Sequence, residues 1–448
     1  MAVLVLLQLF ALLAASVLGA PAPTSHPTPP VNDTFYIPPK GFEAAPPGTI
    51  LRSRTPPHPI AAFSAAKVNL AGAHQLLYRT TDSFGKSIAT VTTILIPHNA
   101  DYTKLLSYQA AQDAADPNCA PSYAFQLEAA HDGVLGLVMP QLELVFMASA
   151  LEKGWIVTAP DHLGPKSTFL ANHVSGHAVL DGVRATLSSS HLTNISSDPT
   201  ITLWGYSGGS LASGFAAELQ PSYAPELEIH GAVLGGTVPT IPPVISSTNK
   251  GVFAGLIPGG IQGLANEYPN ITSLVKQNIK PEKMPAFAKT KNLCLSGNIL
   301  EYLGQDVYTY TKDPDIFTSP AATDVLNANA MGHYTPEIPL LVYKSAGDEV
   351  SPVNDTDHLV SSYCKAGVRV EYKRDLLSEH AAMAIVGAPE AMIWLSDRMN
   401  GVPVDGGCSN STDLTGLSDP RSLAVLGVGI VQTLLTFLHA PVGPVQIG

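Results

Sequence analysis

The chain has 448 residues, 13% of them charged and 45% apolar, with a formal net charge of −12 at pH 7. That length can bury a large core, as one elaborated α/β domain or as two to three domains. So few cations exclude the basic patches that nucleic acid or an anionic membrane surface would require, and the many small polar residues suit a secreted protein.

Residues 1–20, Met1 to Ala20, form an apolar N-terminal run that reads as a secretory signal peptide. Pro21 disfavours a cut directly after Ala20. Residues 21–65 are proline-rich and read as an extended arm. Export is consistent with N-x-S/T sequons at Asn32, Asn194, Asn270, Asn354 and Asn410, each a candidate glycan site. It is also consistent with Cys119, Cys294, Cys364 and Cys408, an even set without the C-x-x-C spacing of a zinc site. Two disulfides are expected, and the residues alone leave three pairings open.

The first part of an α/β core runs from 66 to 239. Ala66 to Thr80 and Ser87 to Pro97 have strand composition around a turn at Asp82–Gly85, which predicts an antiparallel hairpin. Leu105–Gln109 is a further strand leading into a small-residue loop that reaches Asp113. Met139–Lys153 reads as a helix ended by Gly154, Trp155–Ala159 as a buried strand, and Gly176–Leu187 as a helix. This alternation predicts an α/β fold with a mostly parallel sheet flanked by helices.

Thr200–Trp204 then reads as a buried strand, Gly205-Tyr-Ser-Gly-Gly209 as a tight turn, and Ser210–Leu219 as a helix ending near Pro221. Strand, G-x-S-x-G and helix together make a nucleophile elbow, with Ser207 thrust clear of the sheet. The Gly208 amide, at the helix N-terminus, is placed to stabilise an oxyanion. Leu227–Leu234 adds one more strand. The alternation stops over residues 240–331, which predicts an inserted, mainly helical cap over the site. The core resumes over 332–400 with the strand Ile338–Tyr343.

A nucleophilic serine needs a base, and the base needs an orienting carboxylate. Asp348 stands one short turn past the Ile338–Tyr343 strand, and His380 follows the next strand, Gly367–Tyr372, in the order acid then histidine. Asp355, Asp357, His333 and His358 fall in poorer places. His380 would take the Ser207 proton, and the loop Gln109–Asp113 would supply the second oxyanion donor. This chemistry calls for no cofactor and no metal.

Several stretches carry a resemblance: Pro38–Phe42 to Pro47–Arg52, Ser107-Tyr-Gln109 with Asp113, Asn118-Cys-Ala-Pro-Ser-Tyr123 and Pro160-Asp-His162 with Gly164. Trp204–Gly209, Ala217–Glu226, Gly347-Asp348 and Glu379-His380 extend it. On these motifs the chain resembles the fungal secretory lipases of the lipase A type, which are cap-bearing α/β-hydrolases. The resemblance implies a triad of Ser207, Asp348 and His380, with the amides of Asp113 and Gly208 as the oxyanion hole. It also implies a helical cap, disulfides Cys119–Cys294 and Cys364–Cys408, and hydrolysis of triacylglycerols and other esters at an oil–water interface, without an obligatory protein partner.

One region departs from the pattern. Ser422 to Gly448 contains no Asp, Glu, Lys or Arg, and 401–448 reads either as a docked C-terminal flap or as a lipid-anchor signal. The expected activity is that of a secreted triacylglycerol lipase or carboxylesterase. The rival readings are an esterase or acyltransferase for short or bulky esters, and a catalytically silent hydrolase fold that binds lipid or protein.

Overall fold

The computed structural model describes residues 26–416 except 63–65, 132–135, 314 and 405, together with 421, 422 and 425. The signal-peptide expectation and nearly all of the apolar tail therefore lie outside the described residues.

The apolar runs assemble into a sheet of ten strands. In chain order they are β1 Ile50–Arg54, β2 Gly72–Thr81, β3 Ser87–Ile96, β4 Asp101–Gln109, β5 Trp155–Pro160, β6 Thr200–Tyr206, β7 Ile229–Gly235, β8 Leu340–Ser345, β9 Val370–Asp375 and β10 Cys408–Asp413. The spatial order is β1-β2-β3-β5-β4-β6-β7-β8-β9-β10. The first three pairings are antiparallel and the remaining six are parallel. The fold class expected from the alternation is the one observed: a mostly parallel sheet with helices on both faces, an α/β-hydrolase fold.

The hairpin ladder starts at Gly72 rather than Ala66 and runs to Thr81 opposite Ser87. Asp82 closes its turn, with Oδ1 accepting from the amides of Phe84 and Lys86 at 2.8 Å each. The central strands read as nearly continuous hydrophobic runs because both of their faces are covered. Leu105, Leu203, Leu340 and Val342 pack with Val179 and Phe215 on one face. Leu106, Val233, Leu341 and Tyr343 pack with Leu144, Met392 and Leu395 on the other. Each fully buried leucine stabilises the sheet by about 1.5–3 kcal/mol relative to leaving it in water.

The flanking helices are α1 Val138–Glu152, α2 Asn172–Leu187, α3 Gly208–Tyr223 and, after the insertion, Val353–Lys365, His380–Val386 and Ala388–Met399. α2 starts one turn earlier than its sequence pattern suggests. Asn172 anchors that turn, its amide donating to Asn329 Oδ1 at 2.8 Å and its side chain to Asn329 O at 2.7 Å. α3 runs two residues past Pro221, whose missing N–H removes one intrahelical hydrogen bond in the last turn.

Between β7 and β8 the chain forms helices from Pro242–Thr248 to Pro320–Ala328, and no sheet strand occurs there among the described residues. The longest is α4, Leu256–Glu267. A disulfide joins Cys294, at the start of the helix Leu295–Glu301, to Cys119 in the loop after β4. The second disulfide, Cys364–Cys408, fastens the helix Val353–Lys365 to the edge strand β10. That strand has no apolar pattern of its own and is held by its ladder with β9.

Candidate active site

Ser207 occupies the turn between β6 and α3 with φ 53° and ψ −117°, a backbone region that L-residues adopt only when the surroundings enforce it. The enforcement is steric. A Cβ at Gly205 would overlap the Gly209 carbonyl, and one at Gly209 would overlap the Gln109 carbonyl at the end of β4. Ser207 N donates to Gly235 O at 2.9 Å, which pins the elbow to the end of β7.

Three strand ends bring the expected residues together. His380, at the start of its helix beyond β9, is 6% exposed. Its Nε2 lies 2.9 Å from Ser207 Oγ and its Nδ1 2.7 Å from Asp348 Oδ2. A carboxylate only accepts, so Nδ1 carries the proton and Nε2 is free to accept from the serine. Asp348 Oδ1 accepts from the amides of Val350 at 2.9 Å and Ser351 at 2.8 Å. Burial alone would raise the Asp348 carboxyl, but the His380 imidazole and the Lys344 ammonium outweigh it and hold it well below the usual carboxylate range. Tyr206 Oη donates to His380 O, and Glu349 Oε2 accepts from His380 N at 2.7 Å, so the base is also fixed through its backbone.

Asp113 lies in the loop after β4 with φ 42°, and its buried carboxyl faces Gly208. Burial raises that carboxyl to about 7, against the opposing pull of His380 and of the Asp113 and Gly208 amides. Asp113, Ser207 and Gly208 line one narrow space at the elbow. Asp355 and Asp357 stand apart from it, Asp355 bound to Thr240 and Asp357 to Tyr372 and Arg374.

Two features had escaped the sequence reading. Glu143, on α1, accepts from Ala111 N and from Tyr108 Oη at 2.8 Å each, and so props the loop that carries Asp113. Nothing in a helix pattern marks such a residue. Lys344 ends the apolar run of β8, and its Nζ lies 2.8 Å from Asp348 Oδ2. A charge within a buried strand was the available signal. The grouping of Cys119, His131 and Cys294 offers no thiolate for a metal, because both sulfurs form the disulfide.

Ser207 opens onto two spaces. A cavity of about 360 Å³ is walled by Met139, Phe146, Phe253, Ile299, Ala384 and Ile385. A narrower one of about 40 Å³ passes Leu170, Ile241 and Leu256. The same three residues line a further apolar cavity of about 90 Å³ inside the inserted helices, where Gly260 and Leu264 also stand. Phe253, Leu256 and Ile299 all belong to the insertion, so residues between β7 and β8 line the cavity onto which Ser207 opens.

The buried carboxyls have a measurable consequence. Burial raises Asp113 and Asp161 to about 7 and Glu143 to about 8. Their protonated forms favour the folded chain, and that stability, present below about pH 4, is lost as pH rises through 7 to 8. Buried His162 and half-buried His177, lowered by desolvation to about 4, act in the opposite sense but are neutral in both states above about pH 6.5. Tm is therefore expected to fall between pH 6.5 and 8.5 in calorimetry, and Glu143→Gln to flatten the slope. A Tm that rises over this window would contradict the assignment.

Comparison with known proteins places the chain. The profile of the family described as secretory lipase matches residues 131–407. A lipase A of Arthroderma benhamiae is 47% identical over 427 residues, spanning 95% of this chain and 91% of that one. Lipase 5 of Candida albicans is 39% identical over 430 residues, spanning 93% and 91%. Among solved structures, Candida antarctica lipase A in its closed state superposes with a TM-score of 0.80 at 27% identity, covering 94% of this chain and 99% of that chain. The rice cell wall degrading esterase LipA of Xanthomonas oryzae, at 16% identity and a TM-score of 0.56, shares the fold.

Proposed function

Because this chain belongs to the secretory lipase family, a family of ester hydrolases, we propose that it hydrolyses triacylglycerols and related carboxylic esters through Ser207, His380 and Asp348. The observation that carries the reading is the unbroken line of contacts from Asp348 Oδ2 through His380 to Ser207 Oγ, at 2.7 and 2.9 Å. His380 Nε2 takes the hydroxyl proton as Ser207 Oγ bonds to the acyl carbon. The amides of Gly208 and Asp113 receive the oxyanion, and Asp348 stabilises the imidazolium. The ester C–O bond then breaks, the alcohol leaves with the proton from His380, and water repeats the sequence on the acyl-enzyme.

The apolar cavities support a lipid substrate, and the insertion acts as a cap over 240–331. Secretion is the setting that fits, and the five sequon asparagines, Asn32, Asn194, Asn270, Asn354 and Asn410, are all exposed and open to glycosylation. No helix among the described residues is long and apolar enough to cross a membrane.

The test is a panel of p-nitrophenyl esters from acetate to palmitate with wild type and a cap variant. Gly260 borders the apolar cavity, and a side chain there would press on Leu170 at its entrance. Gly255 is unsuitable because a Cβ there would overlap the Asn298 carbonyl of a neighbouring helix. Each buried methylene contributes up to about 0.8 kcal/mol. Gly260→Phe is therefore expected to depress palmitoyl turnover at least tenfold more than butyryl turnover, while Ser207 still reacts with a small organophosphate. Equal loss on both esters would place the acyl chain elsewhere.

A further inference from the structure

Lys344 is the buried group that the proposed reaction leaves unused. It follows four apolar residues of β8, and its side chain has no exposure. A buried ammonium has to be paired. Its Nζ donates to Thr237 O at 2.9 Å and to Asp348 Oδ2 at 2.8 Å. That same Oδ2 accepts from His380 Nδ1 at 2.7 Å, while Oδ1 is taken by the Val350 and Ser351 amides. An ammonium and an imidazole therefore share one carboxylate oxygen.

We propose that Lys344 is a positioning residue that sets the pH range of the triad. By offsetting the Asp348 charge at the atom His380 uses, it keeps the imidazole neutral to lower pH than an uncompensated aspartate would allow. The inference rests on the triad reading above. A carboxylate beside an imidazole raises its pKa, and a cation within about 4–6 Å lowers it. Both nitrogens lie within 2.8 Å of Oδ2, so they stand inside that range of each other.

The remaining titratable groups around the pair act the other way or not at all. Glu349 binds His380 N, Asp355 bears on Lys344, and Asp113 bears on His380. Glu379 precedes the base and lines the same cavity. Tyr206, whose hydroxyl donates to His380 O, and Tyr343 are phenols held protonated by burial. Among the described residues, Lys344 is the lysine or arginine that bears on Asp348.

The experiment follows the rate at which a small neutral organophosphate labels Ser207 as a function of pH, in wild type, Lys344→Met and Lys344→Gln. Labelling requires a neutral base, so its acid limb reads His380. Both variants are expected to move that limb up from its wild-type position by about one pH unit or more. A folded variant whose limb stays put or moves down overturns the proposal, as does a lower plateau with an unmoved limb, which marks a structural role only. If neither variant folds, Lys344 serves the fold rather than the pH range of the triad, and the proposal falls. A wild-type protein that is not labelled at any pH overturns the triad reading itself, and this inference with it.

Discussion

Ser207→Ala and His380→Ala are each expected to lower kcat on p-nitrophenyl butyrate by on the order of 10³-fold or more. The two losses should be nearly equal, and the double variant little worse than either one. Nucleophile and base act as a unit, because the base has nothing to deprotonate without the hydroxyl and the hydroxyl is a weak nucleophile without the base. Both side chains sit at strand ends rather than in the core, so circular dichroism and Tm should stay close to wild type. A folded single variant within tenfold of wild type would remove the assignment.

Asp348→Asn is expected to fall by about 10⁴-fold and also to destabilise the fold. Its carboxylate accepts four hydrogen bonds, two on each oxygen. An asparagine has one oxygen for four donors. If that oxygen keeps the Val350 and Ser351 amides, the NH₂ group faces the Lys344 ammonium and drives His380 into the tautomer that cannot accept from Ser207. If it turns over, the two loop amides lose their partner. In either orientation the ammonium of Lys344 is buried without a counter-charge, which costs about 3–5 kcal/mol. Asp348→Asn with Lys344→Met should recover much of that stability in denaturant titrations and little of the activity. Asp355→Asn and Asp357→Asn should stay within tenfold of wild type. If Asp355→Asn were the inactive variant, the acid would be misassigned.

The parts of this molecule legible in its sequence are those where local chemistry and tertiary structure agree. The elbow is one: glycines at 205 and 209 are required because two backbones pass within contact of them, and such a requirement leaves a motif. The parallel strands are another, since burial on both faces leaves unbroken apolar runs such as Leu340–Tyr343. Strand β10 was not legible, because Ser, Asn, Thr and Asp at an exposed edge are held by a neighbour's hydrogen bonds and a disulfide rather than by their own preference. The early start of α2 depends on Asn329, 157 positions away. Glu143 and Lys344 reach the site through side-chain geometry that no spacing encodes.

The order of the cysteines bears on how the chain is made. Each bond joins consecutive cysteines, Cys119 to Cys294 and Cys364 to Cys408. A polypeptide emerging from its N-terminus therefore presents Cys119 with a single possible mate when Cys294 arrives, and that mate is the native one. By the time Cys364 and Cys408 follow, the first pair can already be closed, and again one combination remains. The three pairings open on paper reduce to one along the direction of synthesis. Full reduction followed by refolding of the complete chain loses that order, since all four thiols then compete at once. Yield after such refolding should depend on a thiol–disulfide exchange buffer, whereas the nascent chain needs only an oxidant.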